Sequence, residues 1–186
     1  MLALFAGIVV LIGALEAGSG PEVVTWPLLL AGLGVGALAS QLGAVTVSSV
    51  PDEQTGEIGG LQNTLTNLGA SIGTALAGAV LISALTASFL TGIAGNPDVP
   101  ASVTENAQVE LAGGVPFVSD KDLESALASA GVDQATADAI VDENSDARLH
   151  GLRVSLSVLA LIALVGLFTT GKIPTKQPGS ASAAAV

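Results

Sequence analysis

The sequence predicts an all-α polytopic membrane protein with about four transmembrane helices and a small helical external loop. Half of the 186 residues are hydrophobic, the mean hydropathy is +0.71 and only 11% of the residues are charged. The apolar residues also cluster into long runs, and the run from 26 to 50 has no Asp, Glu, Lys or Arg. At ~1.5 Å per helical residue, this run exceeds the ~30 Å hydrocarbon core of a bilayer.

The hydropathy pattern gives four candidate spans: 1–15, 26–50, 58–93 and 148–172. The first is apolar but short. Because it lacks the basic start of a signal peptide and further spans follow it, we interpret it as a span truncated at its start. The second and third spans are joined by a polar turn, 51–57, in which Pro51, Asp52, Glu53 and Gly56 break and cap the flanking helices.

The segment 95–147, called here the acidic loop, is the only sizeable polar part of the chain and carries most of its acidic residues. Its apolar content is too small for an independent core. Ser119 is placed to N-cap one helix that stops at Gly131, and Asp133 is placed to N-cap a second. We therefore expect a small helical cap whose last helix is able to continue into the fourth span.

The placement of Lys and Arg predicts the orientation. Lys172 and Lys176 follow the fourth span and place that end in the cytoplasm, although Arg148 and Arg153 flank its other end and favour the opposite orientation. The acidic loop decides between them, because long loops cross the membrane largely regardless of charge. The acidic loop is then external, and the turn and both termini are cytoplasmic. The tail, 173–186, is predicted to be disordered.

The third span has two different faces. One, called here the small-polar face, carries Gly, Asn and Thr at helical spacing on two adjoining stripes: Gly56, Gly60, Asn63, Asn67, Ala70, Thr74 and Ala77, with Gln62, Thr66, Gly69 and Gly73. The opposite face is aliphatic: Leu61, Leu65, Leu68, Ile72, Ala75, Ala79 and Ile82. The spacing of Gly69 and Gly73 lets two helix backbones approach, so we expect close packing on the small-polar face and lipid or an apolar neighbour on the other.

Two interpretations compete for Asn63 and Asn67. Hydrogen bonding between helices, at ~1 kcal/mol for each residue, is favoured over contact with substrate in a water-filled cavity. Gln41 is polar within the second span and is the better candidate for lining a cavity. The cavity-lining candidates are therefore Gln41, Asn63 and Asn67.

Composition argues against several other functions. A net charge of −11 with five basic residues leaves no cationic patch for nucleic acid. The absence of cysteine excludes disulfides and thiol ligands. Asp142, Asn144 and Asp146 imitate the start of a calcium loop, but Ala147 stands at the position of its turn glycine and Arg153 at that of its bidentate Glu. We predict no metal, no cofactor and no enzymatic activity.

The order of motifs around the polar turn resembles the last part of the fourteen-spanner drug:proton antiporter branch of the major facilitator superfamily. The stretches that carry the resemblance are VPDEQTGEIGG and QNTLTNLGASIGTALAG. Members of this branch have a proline, a glycine turn, an Asn and a Gly-x-x-x-Gly helix in the same order. The matching residues here are Pro51, Gly56, Gly60, Asn63, Gly69 and Gly73.

The resemblance implies the C-terminal part of a major facilitator bundle in a bacterial cytoplasmic membrane, with an external loop before the last span. It further implies proton-coupled efflux of small organic compounds by alternating access. The partners would be the lipid bilayer, a missing N-terminal transmembrane half and a small-molecule substrate. Two departures matter: many members have Arg where this chain has Thr66, and the upstream spans with the buried proton-coupling acids are not in this sequence.

Two alternatives come from other classes of protein. The first is a self-contained four-helix membrane protein, either a small oligomeric exporter or an assembly factor. A small exporter needs a buried Glu in its first span, and the one candidate, Glu16, lies at the edge of that span. The second is a membrane-anchored external binding module, which requires the acidic loop to bind a ligand on its own.

Overall fold

A computed structural model of the chain describes residues 1–16, 20–48, 50–111 and 113–171. These residues form six α-helices and no strand, so the all-helical prediction is confirmed for them. The helices are α1 (Leu2–Ala14), α2 (Pro21–Ser48), α3 (Thr55–Gly95), α4 (Ala101–Glu110), α5 (Asp120–Ser129) and α6 (Gln134–Thr170). A 3-10 turn, Asp52–Gln54, precedes α3. The predicted disordered tail, 173–186, lies outside the described residues, as does Lys172 before it.

Three of these helices, α2, α3 and α6, are long and apolar enough to cross a membrane. Their most apolar stretches have mean hydropathies of 1.8, 1.9 and 2.2. Helix α1 has 13 residues, a length of ~20 Å that falls short of the ~30 Å hydrocarbon core. Four spans were expected, and the described residues contain three helices long enough to be spans. The expected first span is α1, a shorter apolar helix.

The chain divides into two compact units. Unit 1 comprises Met1–Gly13, Pro21–Ala75 and the chain from Leu159 onward. Within it, α1 packs against α2 through small residues, because a Cβ on Gly7 would lie 2.6 Å from the backbone N of Ala31. Large aliphatic side chains on α2 and on the first half of α3 are exposed. These surfaces have the character of helices that face lipid or further helices.

Unit 2 comprises Ala14–Gly20 and Leu76–Val158 and contains the acidic loop. Its core combines three residues of α3 with four from the acidic loop: Leu85, Phe89, Ile93, Val99, Val115, Ile140 and Ala147. The acidic loop thus lacks a core of its own, as predicted, but completes one with α3. Thr104 donates a hydrogen bond to the backbone O of Ile93 at 3.3 Å, which fastens α4 to α3.

Two helices of the acidic loop begin where the sequence places their caps. Ser119 Oγ accepts a hydrogen bond from the backbone N of Asp122 at the start of α5, and Gly131 after it has a φ of +72°. Asp133 caps α6, which then continues without a break to Thr170. The last predicted span, 148–172, is therefore the second part of a longer helix. Helix α4 was not predicted from the sequence.

Candidate functional site

The turn between α2 and α3 positions the residues of the predicted motif. The backbone O of Pro51 accepts a hydrogen bond from the backbone N of Gln54 at 3.0 Å, which closes the 3-10 turn. Helix α3 begins one residue later, at Thr55. Glu57 lies in its first turn, where a carboxylate is favoured by the positive end of the helix dipole. The turn is therefore a compact, acidic connection between two long helices.

The glycine positions on the small-polar face of α3 meet no other element of the described chain, although Gln62 and Thr66 of the same face line a groove with α2 and the backbone O of Ala77 accepts a hydrogen bond from Ser155. A Cβ added to any of four glycines of this face would meet no atom of another described element within 4 Å: Gly56, Gly60, Gly69 and Gly73. The leucines of the opposite face are also more than half exposed: Leu61, Leu65 and Leu68. The predicted close packing at Gly69 and Gly73 therefore has no helix to meet in this part of the chain, and it stays a prediction.

Asn63 and Asn67 bond to each other on the exposed surface of α3. The Nδ2 atom of Asn67 donates to the backbone O of Asn63 at 3.0 Å and to its Oδ1 at 3.2 Å. The pair is one helical turn apart, so these bonds are internal to the helix. An amide that already has a partner on its own helix is less costly to place in a membrane, and it retains hydrogen-bonding capacity toward a neighbour.

An apolar groove of about 410 Å³ lies between the end of α2 and the start of α3; it is called here the turn groove. Its lining residues carry no charge: Leu42, Thr46, Ile58, Leu61, Gln62, Leu65 and Thr66. Thr46 and Thr66 each donate to a backbone carbonyl of their own helix, so Gln62 supplies the main free polar group. A volume of this size is within the range of small-molecule pockets.

The predicted cavity-lining residues do not line this groove. Gln41 is exposed on α2 next to the groove residue Leu42, and Asn63 and Asn67 are exposed on α3. The amide in the groove is Gln62, which the sequence placed on the small-polar face but not in a cavity. A period of 3.6 assigns a residue to a face of one helix, but it does not show which neighbouring helix covers that face.

A polar cluster in unit 2 joins α5 to α6. Asp120 Oδ1 accepts from Asn144 Nδ2 at 2.9 Å and from Arg148 Nη1 at 2.7 Å. The guanidinium of Arg148 lies 5.4 Å from the centroid of the Phe117 ring. Asn144 is 1% exposed, so its hydrogen bond to Asp120 is a structural necessity for a buried amide. Asn144 is thus a core residue that ties α6 to the start of α5.

A second groove, of about 500 Å³, lies between α3 and α6 in unit 2 and carries the only histidine. Its polar residues include Glu143, Asp146 and His150, and Asn96 donates a hydrogen bond to Glu143 Oε1 at 3.0 Å. The described residues contain no group of three or more His, Cys, Asp or Glu side chains arranged to hold a metal ion. This groove is therefore a polar surface in which Glu143 has a structural partner.

The cap of α6 perturbs one carboxyl group. The side chain and the backbone N–H of Thr136 lie beside Asp133 and hold the pKa of that carboxyl below its ordinary value, because they stabilise the charged form. The Thr136 hydroxyl itself donates to the backbone O of Asp98 at 3.2 Å. The backbone N of Thr136 lies 3.2 Å from Asp133 Oδ1. This shift is typical of a helix N-cap and has a structural cause, so it does not indicate a catalytic site.

Over the described ranges, these features define an all-helical protein with three helices long and apolar enough to span a membrane. No protein-family model, curated protein or solved structure matches the chain.

Proposed function

We propose that this chain is part of a secondary active transporter, the C-terminal piece of a major facilitator protein that exports small organic compounds by alternating access. The observation that carries the proposal is that the glycine positions on the small-polar face of α3 are open in the described chain. Glycine spacing of this kind on a membrane helix serves close helix packing. The described chain provides no helix within 4 Å of Gly56, Gly60, Gly69 or Gly73, so the partner helix would belong to the rest of the transporter.

The same proposal assigns proton coupling to the rest of the transporter, outside this chain. The segments 26–50 and 58–93 contain no ionisable side chain, and buried ionisable residues are the usual proton carriers of transporters. A transport site at the bilayer midplane is formed between two repeat-related bundles. This chain would supply helices of one bundle, which rock against the N-terminal half during the transport cycle.

Transport by the chain alone tests the proposal. The purified chain would be reconstituted in liposomes with an imposed pH gradient, while a fluorescent cationic dye and the lumenal pH are followed. We expect no gradient-dependent dye movement without the N-terminal half. Dye movement by the chain alone that is lost in Glu16→Gln would overturn the proposal in favour of a small self-contained exporter.

A pair of packing variants tests the missing helix directly. In the chain alone, Gly69→Leu should change the thermal midpoint in detergent no more than Leu68→Ile does, because both positions are exposed. In a transporter that includes the preceding half, Gly69→Leu should lower the midpoint and Leu68→Ile should not. If Gly69→Leu has no effect in either context, the small-polar face is not a packing surface.

A further inference from the structure

The segment 113–118, called here the strap, connects α4 to α5 and contacts both α3 and α6 of unit 2. Val115 is its buried residue and belongs to the core that α3 forms with the acidic loop. Gly113, Pro116 and Phe117 are exposed. One packed side chain therefore holds a segment whose other residues are partly or fully exposed.

The contact of the strap with α3 is short and specific. Thr86 Oγ1 accepts a hydrogen bond from the backbone N of Val115 at 2.9 Å. One turn earlier on α3, Ile82 lies under the strap, because its Cγ2 would be 3.1 Å from a Cβ on Gly114. Gly114 has a φ of +116°, a conformation that favours glycine. The strap is thus fitted to α3 by one hydrogen bond, one buried side chain and a glycine backbone.

The contact of the strap with α6 is weaker. The ring centroid of Phe117 lies 5.4 Å from the guanidinium of Arg148, but nearly half of this side chain is exposed. The backbone O of Val118 accepts from Asn144 Nδ2 at 3.5 Å, which is long for a hydrogen bond. The attachment to α3 therefore decides whether the strap stays in place.

The elements around the strap have attachments of their own. Thr104 fastens α4 to α3, and Asp120 fastens α5 to α6. The Oγ of Ser155 on α6 donates to the backbone O of Ala77 on α3 at 2.9 Å. Release of Val115 would break none of these bonds. Segments with few buried contacts open locally, at a lower free energy than the fold as a whole.

We propose that the strap is a conformational latch of unit 2. Val115 leaves the core and the Thr86 hydroxyl as a local unit, and Gly113 and Gly114 act as the hinge. The flanking helices and the α3–α6 contact stay in place, so opening uncovers Ile82 and Thr86 on α3. The latch depends neither on transport nor on the orientation of the chain in a membrane.

Native-state hydrogen exchange of the full chain in detergent tests the latch. The Val115 amide should exchange through an opening that hardly depends on denaturant, because local opening exposes little surface. The amide of Leu85, which is fully buried on α3, should show a strong dependence. Thr86→Val removes the acceptor and should raise the opening constant at Val115 about tenfold. The matched control is Thr91→Val, an exposed position on the same helix, which should leave this constant unchanged.

Thiol reactivity gives a second measurement, because the chain has no cysteine of its own. Ile82→Cys places a thiol under the strap, and a thiol reagent should modify it about tenfold faster when Thr86→Val is also present. Ser83→Cys is the control on the exposed surface of α3. Its rate of modification should be the same with and without Thr86→Val.

Two results would overturn the proposal. If exchange at Val115 has the same denaturant dependence as exchange at Leu85, the strap opens only when unit 2 unfolds. If Thr86→Val changes neither the exchange of Val115 nor the reactivity of Ile82→Cys, the hydrogen bond to Thr86 does not hold the strap closed.

Discussion

Gly7 of α1 lies so close to Ala31 of α2 that a Cβ on Gly7 would be 2.9 Å from the Cβ of Ala31. A second contact of the same kind joins Gly34 of α2 to Leu4 of α1. Small residues on facing helices allow backbones to approach and gain dispersion contacts, which is how apolar helices associate in a membrane. Helix α1 is thus fixed to α2 by shape, although it has only 13 residues.

This contact predicts opposite effects for two identical substitutions in α1. Gly7→Ala should destabilise the protein by ~1–3 kcal/mol, because the new methyl group overlaps Ala31 in a packed interface. Gly13→Ala should be neutral or stabilising by up to ~1 kcal/mol, because Gly13 is exposed with no atom of the described chain within 4 Å and alanine favours a helix. Unfolding of the detergent-solubilised chain measures both. Equal shifts for the two variants would contradict the contact.

The parts of the fold that depend on local chemistry were predictable. Ser119 and Asp133 accept hydrogen bonds from backbone N–H groups three residues further on, and the residues that determine such caps are adjacent in sequence. The long uncharged runs likewise identify α2, α3 and the second part of α6.

The parts that depend on distant partners were not predictable. Helix α4 has Pro100 at its N-cap and no side-chain cap, and it is held by the contact of Thr104 with Ile93. Asn144 needs an acceptor 24 residues away, in Asp120. Spacing also singled out Gly69 and Gly73 for close packing, whereas in the described chain the glycines at which an added Cβ would lie within 3 Å of another helix's backbone are Gly7 and Gly34. The spacing of residues in the sequence shows which of them share a face of a helix, but it does not show which faces of two helices pack together.

The cluster around Asp120 predicts that removal of this partly exposed carboxylate lowers the stability of unit 2 by a large amount. Asp120→Ala should destabilise unit 2 by ~1–3 kcal/mol, because the buried Asn144 amide loses its 2.9 Å hydrogen bond and keeps only a longer one, at 3.5 Å, to the backbone O of Val118. Asp142→Ala is the matched control on the exposed surface of α6 and should change stability by less than ~0.5 kcal/mol. Hydrogen exchange of the α5 amides should accelerate in the first variant alone. Unchanged exchange in Asp120→Ala would show that the cluster does not hold α5.

The cap of α6 predicts a specific pH dependence. The pKa of Asp133 is lower in the folded protein than its ordinary value. The carboxylate therefore contributes its full stabilisation of the folded state at pH values above its ordinary pKa, and this stabilisation is lost as the pH falls through the pKa of the folded state. The difference in thermal midpoint between wild type and Asp133→Ala should therefore be constant near neutral pH. It should disappear only below the ordinary pKa of an aspartate.

Thr136→Val separates the effect of the Thr136 side chain on this pKa from that of the backbone N–H groups, because the hydroxyl lies beside the carboxyl while it donates to the backbone O of Asp98. A carboxyl NMR titration should place the pKa of Asp133 closer to its ordinary value in Thr136→Val than in wild type. An unchanged titration curve would assign the shift to the backbone N–H groups alone.

The two ends of α3 predict the topology. Gln54 lies in the turn before the helix and Ser102 lies in α4 after it, and both are exposed. If α3 crosses the membrane, these positions are on opposite sides. The charge distribution further predicts that Ser102 is external, because the acidic loop is long and poor in Lys and Arg.

Single cysteines test this placement without background, because the chain has none of its own. An impermeant thiol reagent added to intact cells should label Ser102→Cys and leave Gln54→Cys unlabelled until the membrane is permeabilised. Labelling of Gln54→Cys alone would reverse the orientation while retaining α3 as a span. Labelling of both in sealed cells would place both ends of α3 on one side, and the helix could then not cross the bilayer despite its 41 residues.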